Sequence, residues 1–465
     1  MKRVVVLTVV AVLIITVVAA AFITNALLTP KDQEFYVGVT YCGNTTEEAK
    51  LLIDKVKGYT NLFVLQSGSI QQNITAINEI GDYAVDSGLN FMVYFGTDKA
   101  LLLKNWLDTY DGRWNASFLG FYYGDEMGGK MLDSERQFYD NKRQRNIMKY
   151  ADGRISSKMD ANTEVDYNPD GSIVTLLTNQ TITGQPGAPE SLSDTTYYPN
   201  GTVAYTTHTF PTGEKTIEYI TDAPYTYEEL RNARPFQSFN ETAEIFVHEI
   251  DFVINRFGPR ANFTYLTSDY GLYWFDYLGG YDTVLAQLGW NHSTTQDIAL
   301  VRGAANLQNR SWGTIITWKY MQPPYLAGGQ EIYDQMRTSY ENGAKYVLIF
   351  NYAENMTGPY GTLKDEHFQA LERFWRDVVQ NPFESHGSVK AEAAFVLPKD
   401  FGSGLRNQQD IVWGLWHPTQ ENQTVWLRLQ DALPNHGQKL DIVYDDPAHP
   451  VAGKYSQIIY WNQTG

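Results

Sequence analysis

Eight times between residues 35 and 380, a short apolar run gives way to an amphipathic stretch, and few folds accommodate that rhythm. "FYVGVTY" (35–41) precedes "NTTEEAKLLIDKV", where Thr45 and Glu48 stand at capping-box spacing and Leu51, Leu52 and Val56 recur at helical spacing. "NLFVLQSG" is followed by a helix over 74–87, and "NFMVYFG" (90–96) by one over 99–110; "FLGFYYGDE" (118–126) is the fourth strand. After a gap come a helix over 226–257, "NFTYLTSDYG" (262–271), helical residues near 276–286 and a weak strand near 285–290. A helix over 294–307, "WGTIITWKY" (312–320), a helix over 330–342 and "KYVLIFNYAE" (345–354) follow. The series ends in a helix, capped within Thr362–Asp365, that carries Phe368, Leu371, Phe374, Trp375 and Val378. Continuous apolar strands joined by helices predict a parallel sheet covered on both faces. Eight such units predict an α/β chain built on a (β/α)8 or TIM barrel. An open doubly wound sheet is the alternative, but no Gly-rich phosphate turn follows any strand.

Two segments break the rhythm. Residues 150–225 repeat turn signals: "YNPDGSIV" (167–174), "YPNGTVA" (198–204) and the looser "FPTGEKTI" (210–217). Pro-Asp-Gly and Pro-Asn-Gly between alternating runs predict β-hairpins inserted after the fourth strand. Asp166, Asn168, Asp170 and Gly171 match the start of a calcium loop, but Leu177 stands where its last acidic ligand belongs, so no metal is expected. Residues 386–465 read as a small α/β domain, with strands in "AEAAFVLP", "KLDIVYDDP" and "YSQIIYW" and a helix in "QTVWLRLQDALPNHG". The barrel itself is expected within 31–385.

Residues 1–30 belong to none of these units. Lys2 and Arg3 precede an almost unbroken apolar run from Val4 to Leu28, long enough to span a bilayer. The basic residues keep the short end inside, so the segment is expected to be a membrane anchor, or a signal peptide cleaved near Ala19–Ala21, with the body outside. N-x-[ST] sequons begin at Asn44, Asn73, Asn115, Asn179, Asn200, Asn240, Asn262, Asn291, Asn309, Asn355, Asn422 and Asn462. Chance would give roughly four, so a glycosylated, extracellular body is expected. Cys42 is the only cysteine, which rules out an intrachain disulfide. Export, sequons and no disulfide together fit an archaeal envelope. A formal charge of −17 leaves no basic stripe for phosphates, so nucleic acid is excluded as a partner.

In such barrels chemistry gathers at the carboxyl ends of the strands. Here those ends carry Tyr41 and Cys42, Gln66, Phe95 and Thr97, Asp125 and Glu126, then Asp269 and Tyr270. The last three strands add Trp290 and His292, then Trp318, Lys319 and Tyr320, then Asn351, Tyr352 and Glu354. This is a bowl of aromatics with carboxylates and amides between them. Aromatic faces pack on sugar rings, amides and carboxylates bond hydroxyls, and glycosidic cleavage needs two carboxyl groups. Tyr41, Gln66, Tyr122, Tyr270, Trp290, Trp318, Tyr320, Asn351 and Tyr352 are the expected binding residues. Successive residues of a regular strand face opposite ways, so only one of Asp125 and Glu126 should enter the bowl. The longer Glu126 is the expected acid/base. There is no G-x-S-x-G, P-loop or H-E-x-x-H, and "HEIDF" (248–252) lacks a second His, so no cofactor is expected.

On "GFYYGDE" and "GAKYVLIFNYAE" the chain resembles secreted (β/α)8 glycoside hydrolases, including the retaining superfamily with its acid/base Glu at the end of strand four. Residues 386–465 look like the domain that follows the barrel in some β-galactosidases. The superfamily has Asn before that Glu, where this chain has Asp125, and a nucleophile Glu after strand seven, where "TIITWKYMQPPY" has none. The resemblance therefore implies a second carboxylate from Asp269 or Glu354. Two functions are expected on these grounds. One is a glycoside hydrolase or transglycosidase acting on polysaccharide or glycoprotein glycans. The other is a non-catalytic glycan-binding or structural envelope glycoprotein on the same barrel.

Overall fold

A computed structural model of the chain describes residues 35–133, 238–255, 263–290, 292–353, 358–382 and 384–463, with seven strand segments between residues 147 and 219. Four strands open the fold: β1 (Tyr36–Tyr41), β2 (Leu62–Leu65), β3 (Asn90–Phe95) and β4 (Phe118–Tyr123). Seven short strands follow, β5 (Ile147–Lys149), β6 (Ile155–Lys158), β7 (Thr163–Tyr167), β8 (Ile173–Thr178), β9 (Leu192–Tyr197), β10 (Val203–Thr209) and β11 (Lys215–Tyr219), and then β12 (Thr264–Asp269), β13 (Thr283–Leu288), β14 (Ser311–Ile316) and β15 (Tyr346–Ile349). β1–β4 and β12–β15 close into one barrel in the order β1-β2-β3-β4-β12-β13-β14-β15, β15 pairing parallel with β1. The predicted α/β barrel is what the chain forms.

Side-chain alternation fills the barrel. Tyr36, Leu62, Val64, Met92, Tyr122, Leu266, Leu285, Ile315, Tyr346 and Leu348 meet in one buried cluster on the axis. The residues between them on each strand face the helices, as period-two geometry requires. Each fully buried large side chain contributes about 1.5–3 kcal/mol. The helices between the strands are α1 (Thr46–Val56), α2 (Ile74–Asp86) and α3 (Ala100–Thr109) in the first half. Thr45 caps α1 by accepting from the Glu48 N–H, as its spacing predicts. Gly120 is where β4 meets β12: its φ is +124°, and a Cβ there would lie 2.2 Å from the Thr264 carbonyl oxygen. Only glycine lets these two backbones approach.

After β4 come α4 (Met127–Leu132), the seven strands, and α5 (Phe239–Asn255), whose His248 is an exposed helix-face residue. The second half adds α6 (Tyr273–Leu278), α7 (Thr294–Gln308), α8 (Gly329–Glu341) and α9 (Asp365–Phe374). α6 and β13 lie a few residues earlier than the sequence pattern places them. β5–β11 form an antiparallel sheet in the order β8-β7-β6-β5-β11-β10-β9, which is the predicted hairpin insertion. The residues of the calcium-like turn after Tyr167 lie outside the described residues.

The last stretch holds β16 (Ala393–Leu397), α10 (Gln420–His436), β17 (Leu440–Tyr444) and β18 (Gln457–Tyr460), with β16 between the other two in a parallel sheet. It packs on the barrel through α7, where buried Arg302 holds Asp441 at 2.7 Å. Contacts divide the chain into two compact units: one of residues up to Gly129, Ala243–Gln408 and Thr419–Gly465, the other of Lys130–Thr242 with Gln409–Pro418. Among the described residues no helix is long and apolar enough to cross a membrane, and the predicted anchor lies outside them.

Candidate active site

A cavity of about 250 Å3 opens at the carboxyl end of the barrel. Its floor continues the interior parity of the strands. Two residues beyond an axial residue lie Gln66 after β2, Ser268 on β12, Gln287 on β13, Thr317 after β14 and Phe350 after β15, and all five line it. Asp125 and Glu126 line it together. A regular strand would have sent them to opposite sides. β4 ends at Tyr123, however, and the chain turns through left-handed conformations at Gly124 (φ +75°) and Glu126 (φ +58°). The Glu126 N–H donates to the Ser268 carbonyl at 2.8 Å, which pins the turn to β12. A non-glycine residue held at positive φ is uncommon and costs about 1–3 kcal/mol.

Each carboxylate has its own donors. The hydroxyls of Tyr122 and Ser268 both reach Asp125 Oδ1 at 2.7 Å, and they lie 2.6 Å from each other. Burial, and then the charge of Asp125, push the Tyr122 phenol well above its ordinary range, so it stays a neutral donor. Gln287 Nε2 donates to Glu126 Oε1 at 2.9 Å and to Ser268 Oγ at 3.0 Å. Trp290 Nε1, a donor only, lies 3.5 Å from Gln287 Oε1, which fits an amide that turns its NH2 toward the acids. Gln66 is buried and its Oε1 has no partner among the described residues, so it offers an acceptor to a ligand hydroxyl or N–H. Cys42 is half-buried beside Thr40, and burial pushes its thiol up to about 12, so it is not a thiolate nucleophile.

The opposite wall is aromatic. Trp290, itself at φ +52°, lies 6.0 Å from Trp318 between ring centres. Trp318 is parallel to Tyr352 within 7° at 5.9 Å, and its indole N–H donates to the Tyr352 carbonyl at 2.8 Å. Tyr325, at φ +61°, packs on Trp318 at 4.5 Å. Trp318 is 8% exposed and Tyr352 38%, so the wall runs from the interior to the rim.

Of the residues expected at the site, Asp125, Glu126, Gln66, Tyr122, Trp290, Trp318 and Tyr352 line the cavity. Tyr41, Asn351 and Asp269 do not line it, because each sits one residue out of step with the axial positions. Tyr41 donates to the Thr45 carbonyl, and Asn351 Oδ1 accepts from the Thr362 N–H. Asp269 is fully buried and accepts four backbone N–H groups, from Gly128, Gly129, Tyr270 and Gly271, at 2.5–3.2 Å. The Tyr270 ring stands against Gly129, whose Cβ would come within 2.1 Å of it, and Tyr320 is exposed. Glu354 lies outside the described residues. Ser268 and Gln287 were not among the expected residues; the alternation from Leu266 and Leu285 is the signal that finds them.

No protein-family model matches the chain, and no curated protein does. Among solved structures, a pyruvate kinase of Cryptosporidium parvum is similar over 93% of this chain and 90% of its own, at 8% identity and a TM-score of 0.29. That likeness carries no argument about function, and the barrel stands on its own strand pairing.

Proposed function

We propose that this barrel is a glycoside hydrolase or transglycosidase in which Glu126 is the proton donor and Asp125 the second carboxylate. The observation that carries the reading is that two adjacent acids, each fixed by its own donors, line one cavity with a tryptophan and tyrosine wall. Glu126 would protonate the departing glycosidic oxygen and take the proton back from the attacking hydroxyl or water. Asp125, held by Tyr122 and Ser268, would face the positive charge that develops at the anomeric carbon. Gln66, Gln287 and Thr317 supply polar contacts for ring hydroxyls, and Trp290 and Trp318 a stacking face. At about 250 Å3 the cavity suits a ring-sized group.

The reading extends to an exported, glycosylated protein with an N-terminal anchor. Seven of the twelve sequon asparagines fall in described residues; Asn44, Asn73, Asn115, Asn240, Asn309 and Asn462 are exposed and Asn422 is half-buried. Asn179, Asn200, Asn262, Asn291 and Asn355 lie outside the described residues. Peptide mass spectrometry of native material reads their occupancy.

The deciding experiment compares purified wild type with Glu126→Gln on a panel of aryl glycosides and polysaccharides, with binding followed in parallel by calorimetry. Turnover in wild type that Glu126→Gln loses supports the hydrolase reading. Saturable glycan binding with no turnover in either protein assigns the barrel to glycan recognition instead.

A further inference from the structure

Behind the cavity wall lies a second pair of acids. Asp269, on the outer face of β12, takes the N–H groups of Gly128 and Gly129 at the start of α4, directly after Glu126, and those of Tyr270 and Gly271. Asp276 of α6 is also fully buried, and neither of its oxygens meets a donor among the described residues. The Asp269 carboxyl lies within hydrogen-bond reach of it. Two bare carboxylates cannot stand in contact there, because a buried, unpaired charge costs several kcal/mol. One of them must carry a proton. Asp269 accepts four N–H groups, which favour its ionised form, and Asp276 accepts none, so the proton sits on Asp276 and points at Asp269.

We infer that Asp269 and Asp276 share one proton and act as a positioning pair that fixes the turn carrying Asp125 and Glu126. The inference rests on the proposed role of Glu126, but its physical content is local. The other titratable groups around the pair are Glu126 from the turn, Tyr273 and Tyr277 of α6, Tyr281 before β13 and Asp297 of α7. All are acids or phenols, and none supplies a positive charge. Burial, opposed by the backbone N–H groups and reinforced by the charge of Glu126, pushes Asp269 up to about 7, and burial, then the charge of Asp269, pushes Asp276 well above the ordinary carboxyl range. Below that range a second proton enters, and the four N–H groups face a neutral acid. The anchor of the turn then weakens.

Hydrogen exchange read by mass spectrometry tests this without any substrate, so it stands or falls apart from the proposed reaction. The readout is protection of segments 124–132 and 268–272, corrected for the intrinsic rate, between about pH 5 and 9. In wild type it should drop as pH falls through about 7, while the rest of the barrel stays protected. Asp276→Asn keeps a neutral donor of the same shape and should leave that midpoint in place. Asp269→Asn should lose at least about tenfold protection in both segments at neutral pH and above, and abolish the midpoint. A midpoint that moves down by about one pH unit or more in Asp276→Asn would mean that Asp276 is charged in wild type, and overturns the inference. So do flat wild-type protection, unchanged protection in Asp269→Asn, or an Asp276→Asn chain that does not fold.

Discussion

Gln287 and Glu126 meet across the cavity at 2.9 Å, amide nitrogen to carboxylate oxygen, with the second hydrogen of the amide directed to Ser268 at 3.0 Å. One side chain therefore orients Glu126 and, through the serine hydroxyl, Asp125. Gln287→Leu removes both donors at nearly constant volume. A hydrogen bond contributes about 0.5–1.5 kcal/mol and Gln287 makes two, so kcat/KM should fall roughly 5- to 100-fold. The melting temperature should stay near that of wild type. Steady-state kinetics beside a thermal melt checks both, and full activity in Gln287→Leu would separate this network from the reaction.

The two carboxylates should fail differently. Glu126→Gln keeps shape and removes the proton, and a positioned acid contributes about 10²–10⁴-fold. A substrate with a poor leaving group should lose that much, and one with a good leaving group much less in its first step. Asp125→Asn leaves the proton donor intact but removes the charge that Tyr122 and Ser268 hold in place. It should damage both substrates to a similar degree. Rates on nitrophenyl glycosides and on oligosaccharides separate the patterns, and equal leaving-group sensitivity in the two variants would reject the division of labour.

Glycine at the seam between the two halves of the barrel gives a test of the fold itself. Gly120→Ala places a methyl group 2.2 Å from the Thr264 carbonyl oxygen at a φ of +124°, and neither strand can move without breaking the ladder. Strain and lost pairing should destabilise the protein by more than about 2 kcal/mol, enough to show as insolubility or an early melt. Gly58→Ala, with open space around it, is the control and should be neutral. A Gly120→Ala protein that melts with wild type would mean that β4 and β12 are not in contact in solution.

Much of this architecture is legible in the order of apolar runs, because a parallel strand buried on both faces has few sequence alternatives. Side-chain direction at the strand ends is legible too, once the parity is carried through from the axis. Leu266 faces inward, so Ser268 does and Asp269 does not; Leu348 faces inward, so Tyr352 does and Asn351 does not. Choosing residues by chemistry alone favours Asp269 over Ser268. The turn after β4 is not legible in this way, because it depends on backbone conformation. Gly124 signals a break, but nothing in the letters Asp-Glu announces that Glu126 adopts positive φ and brings both acids to one wall.

Asp297 contributes to the pH dependence of stability. It lies in the first turn of α7, is 4% exposed, and its Oδ2 has no partner among the described residues. Burial raises its pKa well above the ordinary 3.8, so the folded chain holds a proton that the unfolded chain releases. Stability then falls as pH rises from about 4 toward the folded pKa, by up to about 1.4 kcal/mol for each pH unit, and levels off above it. Asp297→Asn is neutral in both states and removes this proton from the balance. Near pH 3, below the ordinary pKa, the variant should match wild type or lie slightly below it, since the acid is then largely neutral in both states. At pH 7 it should be the more stable protein, and its denaturation midpoint should change less between the two conditions. Urea titrations of both proteins at several pH values measure the difference. Parallel curves would mean that Asp297 is ionised in the folded chain, with a donor or cation reaching it in solution.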